Sequence, residues 1–329
     1  MIQVIHFLYG PMSRYVFKKK NHSMLLPAFE RLFLSFLLRV IRGKLYIDIL
    51  WFVSYAMLYV TLYLVLEPSV LGKNNRLIIP LFLSVYLIGR ELDNAHKEKW
   101  KSALVEFWKH LIQAMASGVL LYILFIVFQM NNVILFSVAL LFTYLSDVAT
   151  FYEQYKTGWF VVDSIGTLEK TFVAVLLLVV SYFDIVYDFF LLERFSGLSL
   201  FELFFALWAL TSLITFIKTI TRIANLTYGI WLFVILLFIV TSFSTLLYSA
   251  LGLALIVTLY TSLYIGKLKR AHLVDGIERS PGIFTPLFLI IVYFTDDFFD
   301  INTVYVITIY LMISILVLAY RIFGALKKG

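Results

Sequence analysis

The most constraining feature of this chain is its succession of apolar segments, each close to the length of a membrane-spanning helix. A transmembrane helix needs about 20 apolar residues, and 62% of the chain is hydrophobic. The segments lie near 46–66, 76–90, 103–129, 132–152, 171–190, 199–221, 226–245, 249–266, 283–299 and 302–324. We therefore predict an all-α polytopic membrane protein with about ten transmembrane helices, formed by residues 45–329 as one domain.

The distribution of basic residues predicts how these helices are oriented. Cytoplasmic loops of membrane proteins carry an excess of lysine and arginine. With the N-terminus in the cytoplasm, only Lys73, Arg76 and Arg194 of the 27 basic residues lie outside, which leaves 24 inside. This distribution of basic residues requires a turn near residue 246, between the seventh and eighth helices. The turn falls within the sequence SFSTLLYSALG. We expect cytoplasmic N- and C-termini and a multi-pass location in the cell membrane.

The N-terminal segment, residues 1–44, is basic and differs from the spans. Within 24–43, MLLPAFERLFLSFLLRVIRG, charged residues interrupt the apolar positions. This pattern is typical of an amphipathic helix on an anionic membrane surface. A helix that packs on the transmembrane bundle would show the same pattern, so both alternatives stay open.

An internal similarity indicates a repeat. Residues 162–188 align without gaps on 274–300, with eight of the 27 positions identical. The matched aspartates are Asp163 with Asp275, Asp184 with Asp296, and Asp188 with Asp300. The offset covers four predicted helices, so both copies cross the membrane in the same direction. We interpret 132–222 and 249–324 as parallel repeats, which contain helices 4–6 and 8–10. In both copies the first aspartate falls in a cytoplasmic loop, so Glu169 and Lys170 are expected at the membrane interface and not in its interior.

Five carboxylates are predicted at the outer ends of the fifth and ninth helices, and we call them the outer acidic collar. They are Asp184, Asp188, Asp296, Asp297 and Asp300. A carboxylate at a helix C-terminus faces the negative end of the helix dipole, so a compensating interaction is expected. A solvated helix cap, a bound hard cation such as calcium, or a basic extracytoplasmic partner protein would each provide one.

The paired DxxxD motifs are similar to the aspartate-rich segments of UbiA-type prenyltransferases, which hold a magnesium-bound pyrophosphate. The similarity is partial. Ser181 stands where the first aspartate of the family's NDxxDxxxD motif would be, and only one helix follows the second pair. Prenyl transfer is therefore a weak hypothesis.

Polar stripes in the fourth and sixth helices form a candidate intramembrane path. Helical spacing places Asp147 and Thr150 on one face of the fourth helix, and Thr215 and Lys218 on one face of the sixth. Asp147 and Lys218 are the candidate ion pair, because an intramembrane carboxylate usually has a cationic partner. The alternative is that the stripes only join helices while Lys218 extends to the inner interface.

Ser199 and Glu202 have the spacing of a capping box at the start of the sixth helix.

Composition excludes several kinds of site. The chain has no cysteine, and its five histidines fall in separate segments, so neither a haem nor another metal centre is predicted. The net charge of +7 comes from residues beside the spans, which gives no support for nucleic-acid binding. No cofactor is expected.

Three functions fit these observations. The first is a non-catalytic membrane subunit that anchors a respiratory or secretion complex through other protein subunits. The second is a secondary transporter that uses the polar path, and the third is an enzyme that acts on lipid-linked substrates.

Overall fold

The computed structural model describes residues 14–16, 18–40, 44–67, 69, 75–95, 100–192, 197–295 and 302–328. Its N-terminal elements are β1 (Arg14–Val16), β2 (Lys18–Asn21), α1 (Leu26–Phe29) and α2 (Ser35–Val40), and a π-helical turn, Glu30–Leu34, joins α1 to α2. The bundle contains α3 (Lys44–Leu66), α4 (Asn75–Ala95), β3 (Trp100–Ser102), α5 (Ala103–Val127), α6 (Val133–Thr157), β4 (Trp159–Val162), α7 (Thr167–Val180), α8 (Asp184–Leu191), α9 (Leu200–Arg222), α10 (Tyr228–Leu247), α11 (Ala250–Arg270), α12 (Phe284–Thr295) and α13 (Thr303–Lys328). A second π-helical turn, Ala271–Asp275, continues α11.

Seven of the described helices are long and apolar enough to cross a membrane: α3, α5, α6, α9, α10, α11 and α13. This confirms the prediction of a helical membrane protein. The α12 helix has 12 described residues and α7 has 14, which is short for a complete span. The total of ten spans and the cytoplasmic termini stay predictions.

The bundle has a buried centre and an apolar periphery. In α11, 83% of the most apolar stretch is buried against other parts of the protein, compared with 28% in α9. The α11 helix packs against α5, α6, α10 and α13. Outer helices instead expose large apolar side chains, such as Ile217 on α9 and Phe238 on α10. An exposed apolar surface of this extent suits contact with lipid.

Two local predictions are confirmed. The α10 helix ends at Leu247, and α11 begins at Ala250 with Ser249 as its N-cap, so a turn divides the long apolar run. At the start of α9, Ser199 Oγ accepts a hydrogen bond from the Glu202 backbone N–H at 3.1 Å. The Glu202 carboxylate accepts one from the Ser199 backbone N–H at 2.9 Å. These reciprocal bonds form the expected capping box.

The fifth apolar segment, predicted as one helix over 171–190, is broken in the structure. The α7 helix ends at Val180, where the Ser181 hydroxyl donates to the Leu177 carbonyl at 2.5 Å. After residues 181–183, α8 starts at Asp184. Asp184 therefore lies in the first turn of a helix, where the dipole stabilises a negative charge, and not at the C-terminus as the sequence suggested.

The N-terminal segment packs on the bundle with one face. Leu26, Phe29 and Leu34 join an apolar cluster with side chains of α3, α4 and α7. On the other face, Leu32 and Phe36 are exposed. The structure thus shows the packing alternative, while the apolar exposed face leaves lipid contact as a prediction. The strand β2 pairs in parallel with β4, an element that the lysine-rich sequence did not predict.

A buried ion pair joins α3 to α5. The Lys109 ammonium donates to the Asp48 carboxylate at 2.5 Å, and the two side chains are only 4% and 3% exposed. Lys109 also lies 5.5 Å from the centre of the Trp51 ring. Breaking a buried pair leaves one charge without compensation in a medium of low dielectric constant.

We expect Asp48→Asn to lower the free energy of unfolding by about 3–5 kcal/mol, because the buried Lys109 charge loses the Asp48 carboxylate. The double variant Asp48→Asn/Lys109→Met should recover most of this loss. Thermal unfolding in detergent measures both, with the exposed-site variant Arg321→Met as a control. Strictly additive effects of the two substitutions would show that the pair is not coupled.

Candidate functional site: an intramembrane polar cavity

A polar cavity of about 90 Å³ lies among α4, α5, α6, α7, α9 and the strands β2 and β4. This volume is sufficient for several water molecules. The charged residues that line it are Lys19, Arg90, Lys170, Glu91, Asp147 and Asp163. Uncharged polar residues that line it include Gln113, Ser117, Thr143, Ser146, Thr150 and Thr215.

The cavity reaches the middle of three helices that are long enough to cross a membrane. Ser117 on α5, Asp147 on α6 and Ser212 on α9 all line it, and each lies ten or more residues from both ends of its helix. Ten residues of α-helix are about 15 Å long, which is half the thickness of the hydrocarbon core of a bilayer. The cavity therefore brings charged groups deep into an otherwise apolar protein.

Arg222 binds two carboxylates from different segments at one end of the cavity. Its guanidinium donates two hydrogen bonds of 3.0 Å to the Glu153 carboxylate of α6. It also contacts the Asp163 carboxylate, with a shortest distance of 2.6 Å. Arg222 thereby links the end of α9 to α6 and to the loop after β4. We call this contact the Arg222 clamp.

The side chains of Asp163 and Lys170 contact α9 at different levels. Asp163 is beside Arg222, whereas the Lys170 ammonium donates to Ser212 Oγ at 2.6 Å. Arg222 and Ser212 are ten residues apart on α9, so their Cα atoms are about 15 Å apart along the helix axis. The expectation that Lys170 is interfacial stays a prediction; its ammonium reaches the middle of α9 from α7, a helix that packs against α4.

Lys170 and Asp147 lie on different walls of the cavity. The Ser117 hydroxyl of α5 donates to the Asp147 carboxylate at 2.7 Å. Lys170 contacts Ser212 and lies 5.8 Å from the centre of the Trp208 ring on α9. Of the cations that line the cavity, Lys170 acts more strongly on the Asp147 carboxylate than Arg90 does. Among the described residues, no direct ion pair joins Asp147 to Lys170.

Arg90 and Glu91 are consecutive residues of α4 that neutralise each other. Their side chains are each 5% exposed, and the guanidinium lies 2.7 Å from the carboxylate. Arg90 also lies 5.6 Å from the centre of the Tyr86 ring. This pair forms a charged but internally neutral part of the cavity wall.

The N-terminal segment forms another part of the wall. Lys19, Asn21 and Ser23 line the cavity, and β2 is held in place by its pairing with β4. The Glu169 carboxylate accepts hydrogen bonds from Ser23 Oγ at 2.5 Å and from the Gly166 backbone N–H at 2.7 Å. Glu169 thus fastens the segment to the start of α7.

The predicted polar path is partly present in this cavity. Asp147, Thr150 and Thr215 line it, as the helical spacing suggested. Lys218 is exposed and lies outside the described lining of the cavity, and the described contacts of Asp147 include no ion pair with it. Lys170 faces the cavity instead, without direct contact to Asp147. Sequence reasoning also missed Arg90 and Ser117. Their only signal in the sequence was a polar residue within a predicted helix.

The outer acidic collar is described only in part. Asp184 and Asp188 are exposed on α8, while Asp296, Asp297 and Asp300 lie outside the described residues. Within the described ranges, no group of three histidine, aspartate or glutamate side chains is placed to hold a metal ion. Partner or cation binding at the collar stays a prediction.

Glu169→Gln should release the N-terminal segment, because one amide oxygen cannot accept from both Ser23 and Gly166. Loss of a hydrogen bond to a charged group costs about 1.5–3 kcal/mol, so tryptic cleavage at Lys18–Lys20 should be roughly ten- to hundredfold faster. Asp188→Asn, at an exposed site on α8, is the control. Equal cleavage rates in all three proteins would contradict the assigned role of Glu169.

No model of a known protein family matches this chain, and no curated protein matches it either. The roles of the cavity residues therefore have to be inferred from their contacts, burial and charge.

Proposed function

We propose that the protein is a secondary transporter that binds a small polar solute in the cavity. The observation that carries this proposal is the position of Asp147 and Lys170, near the middle of the bundle and facing a cavity that can hold several waters. Charged side chains inside a membrane are costly, and they commonly mark the path of an ion or a solute.

The arrangement of the charges favours solute binding over a purely structural role. A structural ion pair in a low-dielectric interior gains most from direct contact, as between Arg90 and Glu91 or between Lys109 and Asp48. Asp147 and Lys170 are each bonded to a neutral hydroxyl instead. Both therefore retain unused hydrogen-bonding capacity toward the cavity.

The sequence suggested instead a non-catalytic subunit that binds other proteins. Composition and the exposed face of α8 support that function. The enzyme hypothesis has the weaker support of the aspartate motifs. Neither explains why charged groups line a cavity at mid-helix, and for this reason we prefer the transporter.

Cysteine labelling tests the proposal directly, because the natural chain has no cysteine. Ser146→Cys places a thiol on the cavity wall, and Val148→Cys places one two residues away on α6, where the side chain is 1% exposed. Since thiol reactivity requires access, we expect a membrane-impermeant cationic thiosulfonate to modify Ser146→Cys and to leave Val148→Cys unmodified.

The labelling is carried out on right-side-out and inside-out vesicles. A transporter that alternates between two open states should expose Ser146→Cys to the reagent from both sides. Modification from one side only would contradict transport, and absence of modification from either side would contradict a hydrated binding site.

A further inference from the structure

We infer that the solute is a small zwitterion with an ammonium and a carboxylate group, of the amino-acid class. This inference rests on the proposed function and specifies what the cavity binds. It follows from three features of the described lining, namely its balance of charge, the separation of Asp147 from Lys170, and its size.

The first feature is the charge balance. The lining contains three cations and three carboxylates, so its formal charge is 3 − 3 = 0. A lone anion or a lone cation would give the buried cavity an uncompensated charge, which is costly in a low-dielectric medium. A solute that carries both charges leaves the sum at zero.

The second feature is that only one pair of opposite charges faces the cavity without direct contact. The Arg90 guanidinium is bound to Glu91, and the Asp163 carboxylate is bound to Arg222. Lys19 takes part in another interaction. Asp147 and Lys170 remain as the carboxylate and the ammonium on separate walls.

Each of these two groups has the complementary partner in a zwitterion. An ammonium can donate three hydrogen bonds, and a carboxylate can accept about four. Lys170 donates to Ser212, and Asp147 accepts from Ser117. The remaining capacity of Lys170 matches a solute carboxylate, and that of Asp147 matches a solute ammonium, with the charge-assisted bonds that such pairs form.

The third feature is the restricted size and the polarity of the remaining wall. A cavity of about 90 Å³ has room for a small solute such as glycine. The side chains of Gln113 and Ser146 have no hydrogen-bond partner among the described residues and line the same space. They can solvate the polar ends of a small solute.

Protection of Ser146→Cys from labelling tests this inference with three matched probes: glycine, acetate and methylammonium. Glycine carries both charges, whereas each of the other probes carries one. We expect glycine to slow the modification of Ser146→Cys, while acetate and methylammonium at the same concentration do not. Protection by either single-charge probe equal to that by glycine would overturn the inference.

Substitutions at the two charged residues add a selectivity readout that a structural role would not change. Asp147→Asn should weaken protection by glycine roughly ten- to hundredfold and improve protection by acetate, since the free cation Lys170 remains. Lys170→Met should shift the preference toward methylammonium. The exposed-site variant Lys218→Met should behave as the parent protein, and thermal unfolding verifies that each variant is folded. Loss of glycine protection without these opposite shifts would contradict the assignment.

Zwitterionic lipid headgroups share part of this chemistry, so the vesicles used are made of phosphatidylglycerol alone. Glycine protection there assigns the site to a free solute, whereas protection that requires added phosphatidylethanolamine would overturn that assignment.

If Ser146→Cys is labelled but glycine gives no protection, the zwitterion inference fails while the proposed transporter stands. If Ser146→Cys is not labelled at all, the proposed function fails as well.

Discussion

The Arg222 clamp is the contact on which the arrangement of the cavity depends. One guanidinium binds Glu153 of α6 and Asp163 of the loop after β4, which fixes the position of the chain between β4 and α7. The Lys170 ammonium on α7 contacts Ser212 and faces the same space as Asp147. The planar fork of arginine suits two carboxylates in a way that the point charge of a lysine would not. Arg222 therefore holds a lining residue, Asp163, at one end of the cavity, and Lys170 contacts α9 ten residues away from Arg222.

Two groups of charged residues in the described bundle differ in whether their charges are paired directly. Pairs such as Asp48 with Lys109 are in direct contact and buried, so they cancel each other's charge inside the protein. Asp147 and Lys170 contact hydroxyl groups and face the polar cavity. The first group stabilises the packing of helices, and the second leaves binding capacity unused. Only the second gives a reason to expect a ligand.

Much of the helical architecture could be predicted from the sequence, because hydrophobic length and capping residues act locally. The break before Ala250 and the Ser199–Glu202 capping box both follow from a few adjacent residues. The position of Lys170 in the cavity could not be predicted in this way. Lys170 lies beside a helix start in the sequence, and its contact with Ser212 of α9 is a tertiary effect. The same holds for β2, whose lysine-rich sequence has no strand pattern and whose pairing requires β4.

The wall contributed by the N-terminal segment has a consequence for biosynthesis. Ser23 binds a residue 146 positions later in the chain, and β2 pairs with a strand that follows α6. At a synthesis rate of about 5–20 residues per second, roughly 7–30 seconds pass between the emergence of Ser23 and that of Glu169. The helices α3 to α6 are made before this wall can form. The nascent protein therefore has an incomplete cavity during this interval. Its N-terminal segment is synthesised early but can pack only after β4 and Glu169 have been made.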